Sequence, residues 1–258
     1  MRTRRKLGQH FLTNQAILDR MIEYGHLSKS DVVLEVGAGR GELTEKLAEK
    51  AGEVIAVELD ESLAKEAESR LKRYSNVKLL VGDILKLKPR GFNKVISNPP
   101  YSISSKLLEW LIESGPELMV LTLQKEFALK LVAKPSSPRY VYISFLSNLF
   151  YEAEIMDILP RRLFKPPPKV DSAIIVMKKV EEITLNNSLK VFLKYLFTRR
   201  RQTLRRVLRD LSKKAERPPN LTALPEETLS KRIYQLSPKE LLKVAEVTGC
   251  GGDLGSEA

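Results

Sequence analysis

The sequence predicts an α/β chain: a mostly parallel sheet with helices on both faces, followed by a small helical domain. Three observations carry that expectation. Short apolar runs alternate with amphipathic stretches between residues 32 and 133, as in parallel strands joined by crossover helices. A glycine-rich turn, Gly37-Ala38-Gly39-Arg40-Gly41, sits behind the first of those runs and ahead of a helical stretch. From about Glu182 the chain becomes helical and strongly basic.

Thr13 to Leu27 reads as a helix, with Thr13 at the N-cap and Ile17, Leu18, Met21 and Ile22 as one apolar stripe. Val32–Val36 reads as a buried strand and Glu42–Lys50 as a helix. Val54–Leu59 is the next strand, and Ser62–Lys72 a charged helix with Leu63, Ala67 and Leu71 inward. Strands are expected at 77–81, 94–97 and 118–123, and helices at 105–114 and 126–133. Tyr140–Leu149 fits either a buried helix or a strand, because its apolar residues have no single period. Glu152–Leu159 and Ser172–Lys179 alternate as strands. Between them Phe164-Lys165-Pro166-Pro167-Pro168-Lys169-Val170 must be an extended loop, since three prolines cannot join a central strand. Ser188–Ala215 reads as one strongly helical, basic stretch, and Ser237-Pro238 opens a last helix as N-cap and N1. The domain boundary is placed near 180, giving domains 1–180 and 181–258, with a disordered tail from 249.

Composition narrows the function. The 258 residues are 43% hydrophobic, and no run is long enough for a membrane helix. The basic start Met1–Lys6 leads into Gly8-Gln9-His10-Phe11-Leu12, which is no secretory signal. One cysteine, Cys250, excludes an intrachain disulfide, and two histidines are too few for a His-based metal site. No metal is expected, and a cytoplasmic location is. Net charge is +12, which favours a polyanion, nucleic acid before membrane. Between Lys190 and Arg217 eleven Lys and Arg face only Asp210 and Glu216, a local charge of +9. A solvated helix face is the plain alternative there; so few acids nearby favour nucleic acid.

Asn98-Pro99-Pro100-Tyr101 follows the apolar run 94–97. In open α/β sheets ligands bind at the C-terminal ends of strands. The Asn98 amide oxygen and the Pro99 carbonyl can each accept an N–H, and the Tyr101 ring can stack on a flat group. A proline turn with a partly buried Tyr is the alternative for these four residues alone. Glu58 ends the second strand, where a carboxylate can accept ribose hydroxyls, and Asp83 follows the third, where it can accept an adenine amine. Singly, each fits an N-cap or a surface turn equally well. Acids and glycines at three successive strand ends fit a nucleoside cofactor. A nicotinamide dinucleotide would need a hydride-transfer site that nothing supplies. S-adenosylmethionine needs a glycine loop, two acids and an acceptor site beside its methyl group, and Asn98–Tyr101 supplies the last. Phe164 either stacks on the second face of the acceptor base or is a core residue.

With these motifs in hand, the chain resembles the small-subunit ribosomal RNA adenine dimethyltransferases, the family that includes the bacterial kasugamycin-sensitivity methyltransferase. It is most similar to the archaeal and eukaryotic branch. The resemblance runs through Gly8–Leu12, the loop 35–41, Asn98–Tyr101, Gln124–Ala128, Leu131–Pro135, Phe164–Ala173 and Arg199-Arg200-Arg201-Gln202-Thr203-Leu204. It implies a Rossmann-like S-adenosylmethionine-dependent domain with a C-terminal helical RNA-binding domain. It implies two methylations on each of two adjacent adenosines near the 3′ end of small-subunit rRNA, in a pre-ribosomal small subunit. By matched position His10 and Leu12 would border the cofactor, Gly37 and Gly39 its aminoacyl part, Glu58 the ribose, and Asp83 and Ile84 the adenine. Asn98, Pro99, Tyr101 and Phe164 would form the acceptor side. Arg199, Arg200, Arg201, Arg205 and Arg206 would face RNA. A monomer is expected.

Pro99 stands where that family usually carries Leu or Ile. Asn-Pro-Pro-Tyr is the commoner form in DNA adenine and protein-glutamine methyltransferases, so these are the alternative acceptors. The Phe164–Ser172 loop and the basic C-terminal stretch favour RNA. A non-catalytic assembly factor is the alternative of another class; intact Glu58, Asp83 and Asn98 favour an enzyme.

Overall fold

The computed structural model of the chain describes residues 10–12, 14–181, 183–213 and 223–249. Thr13, Gly8-Gln9, Lys214–Arg217 and the tail beyond Gly249, all singled out in the sequence, lie outside them. The elements are β1 (Phe11–Leu12), α1 (Gln15–Gly25), β2 (Val32–Val36), α2 (Glu42–Lys50), β3 (Glu53–Glu58), α3 (Glu61–Leu71), β4 (Val77–Val81) and α4 (Ile84–Leu87). There follow β5 (Lys94–Ser97), α5 (Ser104–Ser114), β6 (Leu118–Gln124), α6 (Lys125–Leu131), α7 (Tyr142–Phe150), β7 (Tyr151–Leu159), β8 (Phe164–Lys165) and β9 (Ser172–Lys179). The last helices are α8 (Asn187–Thr198), α9 (Leu204–Ser212), α10 (Glu226–Ser230) and α11 (Pro238–Val247).

Among the described residues the main sheet has seven strands in the order β4-β3-β2-β5-β6-β9-β7. β4, β3, β2, β5 and β6 run parallel, and β9 lies antiparallel to β6 with Thr122 opposite Ile174. Val33, Val54, Ala56, Ile96 and Val120 share one core with Ile17, Met21, Leu43 and Leu47 of α1 and α2. Their strand neighbours Leu34, Ile55, Val95 and Met119 are buried as well, so these strands are covered on both faces. That is why they read as continuous apolar runs. Each such buried Val, Leu, Ile or Met side chain contributes about 1.5–3 kcal/mol.

The chain builds β2, β3 and β4 outward in one direction and then returns to place β5 on the other side of β2. Strand order reverses between β2 and β5, where open α/β sheets bind ligands. Local capping sharpens the connections. Asn14 caps α1 by accepting the Ile17 N–H at 3.2 Å, and the Asp60 carboxylate caps α3 through the N–H groups of Ser62 and Leu63.

The chain divides into two compact units: the part through Leu129 with Glu152–Lys179, and Lys130–Tyr151 with the part from Val180. The expected boundary near 180 therefore misplaces residues 130–151. Tyr140–Leu149 resolves as helix α7, opened where the Ser144 hydroxyl accepts the Val141 N–H at 3.0 Å. Within this unit the Tyr140 and Phe145 rings each lie 5.7 Å from that of Phe197. Within Ser188–Ala215 the described residues, through Lys213, form two helices rather than one. The break at 199–203 is held by long-range bonds: the Leu204 N–H donates to the Lys231 carbonyl at 2.9 Å, and the Ile233 N–H to Gln202 at 3.1 Å.

Candidate active site

The C-terminal ends of β4, β3, β2 and β5 lie side by side, and each delivers one part of the site. After β2 the backbone turns through Gly37 (φ 79°) and Gly39 (φ 59°), left-handed conformations that only glycine adopts without strain. The Gly37 N–H donates to the Val57 carbonyl at 2.7 Å, which ties the loop to β3. A Cβ at Gly37 would stand 3.2 Å from Pro100 Cδ, so the absent side chain leaves this loop room beside the Asn98–Tyr101 turn.

Glu58 ends β3 almost fully buried, and its carboxylate accepts the N–H groups of Gly39 and Asp60, each at 2.8 Å. Burial pushes its pKa up, and the backbone N–H groups oppose that shift. Each carboxylate oxygen keeps a second lone pair for a hydroxyl donor. Beside it, Asp83 caps the short helix α4 by accepting the Leu85 N–H at 2.9 Å. The N-cap reading of Asp83 thus holds for one oxygen. A cleft lined by Val57, Glu58, Leu59, Asp83, Ile84 and Ile103 joins these ends. Its apolar walls and paired acids fit an adenosine, whose base needs a dry slot and whose ribose offers two hydroxyls.

Asn98 is fixed in one orientation. Its Nδ2 donates to the His10 carbonyl at 3.1 Å. Its Oδ1 is buried and has no partner within the protein. A buried acceptor left unpaired costs about 1–3 kcal/mol, so this atom is set for a donor from outside. The His10 ring Nδ1 lies 2.7 Å from the Pro166 carbonyl, where it donates, and the ring sits 5.6 Å from that of Tyr101. The hydroxyls of Tyr101 and fully buried Ser172 share a 2.5 Å hydrogen bond. Burial raises the Tyr101 pKa to about 12, so it remains a neutral phenol. His10, Phe11, Gly39, Glu58, Asn98 and Tyr101 line one cleft.

The side chains of two residues expected at the site are buried in the core. Leu12 and Phe164, 4% and 1% exposed, face each other across the β1–β8 ladder and belong to the core. Side chains alternate along a strand, so Leu12 points inward and Phe11 lines the cleft instead. Phe164 is the core residue of its two readings and has no face free for a base. Phe11 was missed because a two-residue strand shows no periodicity. Glu35 was also left without a role. It is 2% exposed, its Oε2 has no partner, and burial, with Glu58 close by, lifts its pKa to about 8.

The basic stretch is less free than its charge count implies. Arg199 pairs with Asp210 at 2.7 Å, Arg200 donates to the Pro138 carbonyl at 3.1 Å, and Arg205 pairs with Glu226. Arg201 and Arg206 are exposed, and no described residue pairs with their guanidinium groups. Among the described residues there is no metal-ligand cluster, and no helix is long and apolar enough to cross a membrane.

A doubly covered parallel sheet, a glycine turn and acids at successive strand ends define a Rossmann-like, S-adenosylmethionine-dependent methyltransferase. Residues 1–247 match the model of the ribosomal RNA adenine dimethylase family. A Methanothermobacter thermautotrophicus protein named probable ribosomal RNA small subunit methyltransferase A is 37% identical over 249 residues, 95% of this chain and 91% of that one. The crystal structure of a dimethyladenosine transferase from Plasmodium falciparum superposes with a TM-score of 0.80 at 29% identity, covering 93% of this chain and 99% of that one. That of 23S rRNA methyltransferase ErmE gives 0.66 at 27% identity, with the same coverage. The chain belongs to the ribosomal RNA adenine dimethylase family, and is thereby an S-adenosylmethionine-dependent rRNA adenine dimethyltransferase. DNA and protein-glutamine acceptors find no support among these relatives.

Proposed function

We propose that the enzyme methylates the exocyclic amines of two adjacent adenosines near the 3′ end of small-subunit rRNA, twice each, within a pre-ribosomal small subunit. The small-subunit methyltransferase similar over 95% of the chain supports that substrate. The observation that carries the chemistry is the buried, unpartnered Oδ1 of Asn98.

When bound, S-adenosylmethionine supplies an electrophilic methyl group on a sulfonium sulfur and leaves as the neutral thioether S-adenosylhomocysteine. Glu58 would accept the ribose hydroxyls, Asp83 and Ile84 would border the adenine, and the Gly37–Gly39 backbone would receive the aminoacyl part. In the first transfer Asn98 Oδ1 and the Pro99 carbonyl each accept one N–H of the target amine; in the second, the monomethylated amine gives its one remaining N–H to one of these acceptors. That draws the nitrogen lone pair out of the ring and toward the methyl carbon. The nitrogen becomes acidic only after attack, so water can take its proton and no strong base is required. Positioning and electrostatics do most of the work. Tyr101 stacks on the acceptor base, which is presented single-stranded or flipped out. Arg201 and Arg206, with Arg199, Arg200 and Arg205 beside them, hold RNA phosphates.

The test is labelled methyl transfer to unmodified small ribosomal subunits, to duplex DNA and to a glutamine-bearing release factor. Label in the subunit's 3′-terminal rRNA fragment is expected. Label only in DNA or protein overturns the acceptor.

A further inference from the structure

A second cleft lies at the opposite end of the same strand. Lys88, Arg90, Phe92, Trp110 and Glu113 line it, on the loop that enters β5 and the last turns of α5. Trp110 is the only tryptophan of the chain. It is half-buried, and its ring meets that of Phe92 edge-on at 6.0 Å. Lys86, Lys88 and Arg90 are all exposed, and residues 84–94 contain no acid. The methyl-transfer chemistry uses none of these groups.

From this cleft we propose a second RNA-binding site: one unpaired nucleotide of the substrate RNA stacks its base on Trp110 while Lys88 and Arg90 hold the flanking phosphates. Three features choose RNA over other occupants. An aromatic plate beside cations, with no acid in the loop, matches the recognition of single-stranded nucleic acid. The cations lie on one short loop, as a single phosphate run requires. The established substrate is itself a large RNA. Phe92 precedes Asn98 by six residues along β5, a separation of about 20 Å at strand rise. One nucleotide cannot reach both places, so the two sites grip separate parts of the RNA. Two tethered contacts raise each other's effective concentration, so this one acts on substrate affinity and leaves turnover alone.

Trp110 fluorescence reads the cleft directly. RNA bound at the basic stretch 199–209 meets no tryptophan there. Titration with a single-stranded decauridylate is expected to quench Trp110 saturably, more weakly as salt rises. Lys88→Glu with Arg90→Glu should weaken that binding at least about tenfold, raise KM for small subunits and leave kcat unchanged. No quenching, equal affinity in the double variant, or a lowered kcat at unchanged KM overturns the proposal. Quenching by a decaglutamate peptide but not by decauridylate assigns the cleft to a protein and overturns it too. The quenching measurement involves no methyl transfer, so its failure leaves the acceptor site at Asn98 standing.

Discussion

The backbone carbonyl of His10 accepts the Nδ2 hydrogen of Asn98 at 3.1 Å, and this single bond decides which way the amide faces. With its donor end fixed by a residue 88 positions away, Asn98 turns its oxygen into the cleft. His10 is in turn anchored by its ring on the Pro166 carbonyl at 2.7 Å. The N-terminal segment and the proline loop thus orient the amide proposed to hold the target amine.

Replacing Asn98 tests that orientation. Asn98→Ala is expected to lower labelled methyl transfer to small subunits by at least ~100-fold. Equilibrium binding of S-adenosylhomocysteine should be nearly unchanged, because Glu58 and the glycine turn remain. Near-normal turnover in this variant sinks the role given to the amide.

The stacking role proposed for Tyr101 belongs to its ring, which the Ser172 hydroxyl anchors. Tyr101→Phe should keep most activity, while Tyr101→Ala should raise KM for RNA by the equivalent of about 1–3 kcal/mol, the worth of one stacked base. Ser172→Ala leaves a phenol unpartnered and should cost about 1–3 kcal/mol of stability, read from denaturant midpoints. With the phenol pKa near 12, pH–rate profiles should show no step from Tyr101 around neutrality.

Glu35 makes stability depend on pH. Its folded pKa, about 8, lies above the ordinary glutamate value of 4.5. The folded state therefore holds a proton that the unfolded chain has lost. The contribution is full below pH 4.5 and disappears as pH rises through about 8. Across that window stability falls by at most about 1.4 kcal/mol per pH unit. Glu35→Gln removes the ionisation, so the cofactor-free variant should gain in melting temperature over the parent as pH goes from 5 to 8.5. A constant difference across that range refutes the buried, protonated carboxyl.

Gly37→Ala combines a strained φ with a 3.2 Å approach to Pro100. It should cost about 1–3 kcal/mol of stability and weaken S-adenosylhomocysteine binding, both measurable by calorimetry. Unchanged affinity would show that the turn does not receive the cofactor.

Neutralising Arg201 and Arg206 to Gln should reduce the salt slope of single-stranded RNA binding by roughly 0.7 per lost phosphate contact. The same change at Arg199 should do less to the slope and more to stability, because Asp210 loses its partner. An unchanged slope in the double variant returns the stretch to an ordinary solvated surface.

Much of this was legible in the sequence, for identifiable reasons. The strands 32–36 and 94–97 lie where their apolar runs place them, since a strand buried in a sheet leaves a contiguous signal; 77–81, an edge strand with no buried residue, and 172–179, read from alternation, lie where expected as well. Glu58, Asp83 and Asn98 follow from strand ends in the same way. What escaped depends on distant partners. Phe11–Leu12 becomes a strand only because Phe164–Lys165 lies beside it. That pairing sends Leu12 and Phe164 into the core. The break between α8 and α9 has no Gly or Pro to announce it, being made by backbone bonds to residues 231–233. Nor does charge spacing reveal that Asp210 and Glu226 pair with Arg199 and Arg205.

The threading of the two units carries a consequence for biosynthesis. β6 receives its antiparallel neighbour only when β9 has been made, and Lys130–Tyr151 belongs with chain that begins at Val180. Synthesis proceeds at about 5–20 residues per second, and domains tend to fold as units behind it. Ile143, Phe145, Leu146 and Leu149, all buried in the finished protein, therefore leave the ribosome seconds before the segment that covers them. The hazard of aggregation falls in that interval of translation, before the covering helices exist.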